Sequence, residues 1–159
     1  MAGCAELDAD TLCVGVALGR YSRADVRDWV DAEVLRREKL PDALLELTTL
    51  THREIEEIAA LLRALSTGDP ARLWGLAVEL LAEDYRGGAC ALEPTIERLV
   101  TAAHLYGAYD TPAEGELYFL EDGLTLARDG TWGTLDDVRA HLEQFFAEWT
   151  VGVRATHLA

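Results

Sequence analysis

His52 and Glu56 stand four residues apart, which puts both side chains on one face of a helix, and His104 is a further imidazole able to complete a metal site. The sequence lacks HExxH, the spacing that makes such a pair hydrolytic. His52 also falls where an exposed first helical turn favours any polar residue. Cys90 follows Gly87-Gly88-Ala89 and precedes a helical stretch, so nearby helix ends can lower a thiol pKa. His104 lies on that following helix, and a thiol–histidine pair is conceivable. No nucleophile signature surrounds Cys90, and an inert buried cysteine is the expected outcome. His141 sits beside Val138 and Leu142 and reads as a partly buried, hydrogen-bonded histidine. Gly87-Gly88 lacks the preceding strand and further glycines of a phosphate loop. The expectation is therefore no catalytic residue, no metal and no cofactor. The alternative is an enzyme built on His52, Glu56 and His104, or on Cys90.

Carboxylates carry the second signal. The net charge is -15, and residues 70–159 hold 15 acidic against 6 basic side chains. Asp110, Glu114, Glu116, Glu121, Asp122, Asp129, Asp136, Asp137, Glu143 and Glu148 face only Arg128 and Arg139 in the same interval. Such a field repels nucleic acid and anionic membrane and attracts basic proteins. A solvated, solubilising face is the plain alternative. The residues expected to meet a basic protein partner are Glu116, Glu121, Asp122, Asp129, Trp132, Asp136 and Asp137. Trp132, between Thr131 and Gly133, is expected to fold back onto the last helix as a staple; exposed, it would be an interface anchor.

The elements that position these residues are mainly helical. At 159 residues one domain is expected, 1–159, with 1–7 and 153–159 frayed. The spacing predicts a bundle or short solenoid of about six helices. Thr51 and Glu54 make a capping box ahead of Ile55, Ile58, Ala59, Leu62 and Leu65, the clearest amphipathic stripe in the chain. Ser22 with Asp25, and Thr134 with Asp137, mark two further helix starts. Asp69-Pro70 opens a long helix ending at Gly87-Gly88, and Pro94 opens another. Pro41 opens a short turn carrying Leu44, Leu45 and Leu47 inward. Thr11–Leu18 alternates like a strand but also fits a helix from Asp8 to Gly19, the preferred reading. Glu116–Leu120 and Leu124–Leu126, separated by Asp122-Gly123, read as a small β-hairpin before the C-terminal helix.

No apolar run is long enough to span a bilayer, and the first residues are not expected to act as a signal peptide. Cys4, Cys13 and Cys90 include no CxxC pair. A cytoplasmic protein is expected.

Ala17-Leu18-Gly19-Arg20-Tyr21-Ser22, then Val26 and Trp29, then Pro41, Leu44, Glu46 and Leu47, resembles small uncharacterised bacterial helical proteins, some of them of immunity-protein type. Leu120-Glu121-Asp122 through Gly130-Thr131-Trp132-Gly133 has the same flavour. The resemblance rests on core and capping positions, which specify a fold, and it assigns no site residue. It implies a non-catalytic inhibitor that occludes a basic partner. A homo-oligomeric scaffold is the remaining alternative.

Overall fold

The computed structural model describes residues 6–49, 53–108 and 111–150. Among these are eight helices and no strand: α1 (Ala9–Ala17), α2 (Arg23–Arg36), α3 (Asp42–Leu47), α4 (Ile55–Leu65), α5 (Pro70–Arg86), α6 (Leu92–Leu105), α7 (Pro112–Arg128) and α8 (Leu135–Trp149). The protein is all-α. The chain forms two compact units, Met1–Asp69 and Pro70–Ala159. Among the described residues no helix is long and apolar enough to cross a membrane.

In the first unit α4 packs on α1 and α3, and α3 touches α2. Thr11–Leu18 is helical up to Ala17. The Asp8 carboxylate accepts the Thr11 N–H at 2.7 Å and starts the helix. At its end Arg20 N–H donates to Gly15 C=O and Gly19 N–H to Val16 C=O, with Gly19 at φ 70°. That left-handed residue lets two orphan carbonyls be satisfied at once. Ser22 and Asp25 cap α2 reciprocally, as their spacing requires. The core joins Leu12, Val16, Val26, Trp29, Leu44, Leu47, Ile58 and Leu62. Trp29 satisfies its indole N–H on the Leu7 carbonyl at 2.8 Å, so Leu7 is held against the core. Most other residues expected to fray lie outside the described ones. Burial pushes the Cys13 thiol up, with the nearby Arg63 charge opposing it and Asp10 reinforcing it.

Two sequence expectations shift here. Leu45 is 47% exposed, so only Leu44 and Leu47 of that turn enter the core. α4 begins at Ile55, and the Glu57 carboxylate accepts the Glu54 N–H at 3.3 Å. Thr51, expected as the cap, lies outside the described residues, as does His52. The helix starts one capping pattern later than Thr51-Glu54 because Glu54-Ile55-Glu56-Glu57 offers the same box three residues on.

The second unit is four helices in sequence, α5 on α6, α6 on α7, α7 on α8, with α8 also packing on α5. α6 begins at Leu92, two residues before Pro94. Proline is tolerated in a first turn, where its missing N–H has no intrahelical partner. Aromatic rings fill the α5–α8 contact: Phe145 meets Trp74 edge-on at 6.3 Å and stacks on Trp149 at 6.1 Å. Burial of a ring like Phe145 contributes about 1.5–3 kcal/mol.

The expected β-hairpin is not formed. Residues 112–128 are one helix, α7, begun by Pro112 in its first turn. Ala113, Leu117, Leu120 and Leu124 are buried at helical spacing, and Tyr118 and Phe119 fall on the outer side, each about half exposed. Asp122-Gly123 is mid-helix and not a turn. Gly130, at φ 64°, is the residue that ends the element, with Thr131 N–H donating to Leu126 C=O at 3.0 Å. Burying three leucines on one face outweighs the local turn preference of Asp-Gly.

Candidate functional site

α7 and α8 run side by side from a shared loop, and an open groove of about 460 Å³ lies between the first half of α7 and the second half of α8. Its walls follow from helical spacing. Pro112, Glu116 and Phe119 recur at four and three residues on α7; His141, Gln144 and Glu148 recur at three and four on α8. Leu120 and Phe145 also line it. Both are buried, so the floor is apolar and the rim is polar.

The rim is ordered by its own contacts. Trp149 donates its indole N–H to Glu116 Oε2 at 3.1 Å, and its ring is fixed by the stack on Phe145. Gln144 donates to Glu148 Oε1 at 3.1 Å. The His141 imidazole meets the Phe119 ring edge-on, centroids 5.1 Å apart at 69°. His141 is exposed, not partly buried as its neighbours suggested. Among the described residues neither Glu116 nor Glu148 meets a cation, whereas Glu143, Glu93 and Asp136 pair with Arg86, Arg128 and Arg139. A groove lined by an aromatic ring and by two carboxylates that meet no described cation can hold a cationic group.

The expected partner-binding residues do not converge on one spot. Glu116 lines the groove. Glu121 and Asp122 lie further along α7, and Asp129, Trp132, Asp136 and Asp137 gather at the loop end of the hairpin. Between Phe119 and Arg128 the α7 axis advances roughly 13 Å at 1.5 Å per residue, so these are two separate ends. Trp132 is 67% exposed and does not fold back as a staple. Asp137 is engaged as a cap: its carboxylate accepts from Thr134 N–H at 2.8 Å and Thr134 Oγ1 at 2.7 Å. Those bonds hold its carboxyl below the usual aspartate range. Asp136 pairs with Arg139 at 2.5 Å. Both therefore serve α8 before any partner, while no described cation reaches Glu121, Asp122 or Asp129.

The alternative metal centre of His52, Glu56 and His104 includes His52, which lies outside the described residues. Among the described residues no three His, Cys, Asp or Glu side chains come together to hold a metal. Glu56 lies in α4 and His104 in α6. Cys90 is a buried free thiol just ahead of α6. Phe119, His141, Gln144 and Glu148 were not singled out as partner residues from sequence. The signal that finds them is the four–three and three–four recurrence on two facing helices, visible only once α7 is read as helix.

No protein-family model, curated protein or solved structure matches this chain. Its function must be read from its own residues.

Proposed function

We propose that this chain is a non-catalytic acidic binding protein that occludes a basic protein partner, in the manner of an immunity protein, and that it acts in the cytoplasm. The observation that carries the proposal is the α7–α8 hairpin. It combines carboxylates that meet no described cation with half-exposed Tyr118 and Phe119 and a largely exposed Trp132. Complementary charge speeds encounter and rejects wrong partners, and exposed aromatics supply the desolvated anchors that hold a complex. Scattered surface carboxylates alone would give solubility only; exposed aromatic side chains on the same pair of helices add the kind of anchor that a binding surface uses. Free buried thiols at Cys13 and Cys90 fit a reducing compartment.

The test is capture by the immobilised full-length chain from cells of its source, at low and at high salt, with Trp132→Ala and Phe119→Ala as variants. The proposal expects a basic protein retained at low salt, released as salt rises, and lost from either variant. Retention of only acidic or neutral proteins, or equal retention by the variants, overturns it.

A further inference from the structure

We infer that the α7–α8 groove is a seat for an arginine side chain of that partner; this rests on the proposed binding function and names the chemistry of its anchor. The groove offers what a guanidinium needs and an ammonium does not use fully. Phe119 lines the groove, is half exposed and meets the His141 ring at a steep angle, so the groove offers an aromatic surface on which a planar group can stack. Glu116 and Glu148 approach from opposite helices, each already fixed through one oxygen, by Trp149 and Gln144, and each with its second oxygen open. A planar fork that stacks on a ring while donating to two acceptors matches arginine; a lysine offers a point charge with three diverging donors. The volume, about 460 Å³, accommodates a whole side chain and part of its backbone. The surrounding unit is acidic, 15 carboxylates against 6 cations, so the occupant is a cation and not an anion.

The constellation is also pre-organised. Trp149 is stacked on Phe145 and mostly buried, so its indole N–H is a fixed donor that favours one position of the Glu116 carboxylate. Fixed acceptors lose less freedom on binding than mobile surface carboxylates do.

The experiment is calorimetric titration of the full chain at low salt with three short, otherwise identical capped peptides carrying arginine, lysine or citrulline at the central position. Citrulline keeps the planar shape of arginine's end but replaces one nitrogen with a carbonyl oxygen, removing the charge and part of the donor fork. The arginine peptide is expected to bind, the lysine peptide about five- to tenfold more weakly, and the citrulline peptide at least about tenfold more weakly. Glu116→Gln and Glu148→Gln keep an acceptor for Trp149 and from Gln144, so the fold is retained, and each weakens the arginine peptide roughly five- to tenfold. Phe119→Leu keeps apolar contact and loses the ring face, a loss of about two- to fivefold. Unchanged thermal melts keep these variants interpretable. If the arginine peptide binds but Glu116→Gln, Glu148→Gln and Phe119→Leu leave it unchanged, while Asp122→Asn with Asp129→Asn abolishes it, the groove is refuted and the acidic binding function stands. No binding of the arginine peptide to the wild-type chain refutes the groove outright, and whole-partner capture then decides the broader proposal separately. Self-association in sedimentation that Glu148→Gln removes gives the groove to a second copy and overturns the assignment.

Discussion

Replacing Gly123 by alanine distinguishes a helix from a hairpin at the place where the two readings diverge most. In a two-residue turn at Asp122-Gly123 the glycine needs positive φ, and alanine there is strained and destabilising. In α7 the same glycine is in a helix interior, where alanine is favoured by about 0.8–1 kcal/mol. The new methyl meets Val138 Cγ2 of α8 at 3.7 Å, an ordinary van der Waals contact that needs no rearrangement. The two contributions agree in sign, so Gly123→Ala is expected to stabilise by about 1 kcal/mol. That corresponds to a rise in Tm of about 2–4 °C if the chain melts as one, and about 4–8 °C if the second unit melts alone. Differential scanning calorimetry with urea unfolding at 25 °C measures both quantities. A fall in Tm, or a loss of helical ellipticity, would refute the continuous α7 and with it the groove.

Gly15→Ala should behave in the opposite way, because its Cβ would lie 2.1 Å from Tyr21 Cδ2. The ring must move, and a net loss of about 1 kcal/mol is expected in urea unfolding; in a Tyr21→Ala background the same change should stabilise instead. Asp10 is buried and accepts both the Thr67 N–H at 2.7 Å and the Thr67 hydroxyl at 2.9 Å. Asp10→Ala strands those donors and should cost about 2–3 kcal/mol, and Asp10→Asn, which keeps one acceptor, less; equal losses would contradict this. Asp137 has a depressed carboxyl pKa caused by its bonds to Thr134. It therefore contributes stability above the ordinary aspartate value of about 3.9, and that contribution fades as pH falls below it. Asp137→Asn should be less stable than wild type at pH 7, with the gap closing toward pH 3 in parallel thermal melts; a constant gap would mean that charge plays no part.

What was legible in the sequence is what local physics decides. The Ser22-Asp25 and Thr134-Asp137 boxes lie within four residues and formed as their spacing demands. α1 was ambiguous because its small residues suit either period, and the Asp8 and Gly19 ends settle it as helix. Where two local signals competed, position was lost: Thr51-Glu54 and Glu54-Glu57 are both capping patterns, and the helix uses the second. In α7 the local signal points the wrong way, because Asp122-Gly123 is a strong turn dipeptide. The opposing signal, Ala113, Leu117, Leu120 and Leu124, is non-local, since its worth depends on α6 and α8 being there to cover it. The groove inherits that loss. Phe119 and His141 are 22 residues apart and meet only because two helices pack side by side. Trp132 was expected to staple α8, but Leu126 C=O takes the Trp132 backbone N–H at 3.4 Å and its ring stays outside.

The most direct measurement is amide chemical-shift mapping of the isotope-labelled chain on titration with the arginine peptide. The account predicts that the largest shifts fall on Gly115, Glu116, Phe119, His141, Gln144 and Glu148, saturate together, and diminish in Glu148→Gln. Shifts spread evenly over the exposed carboxylates, or centred in the first unit, would contradict it.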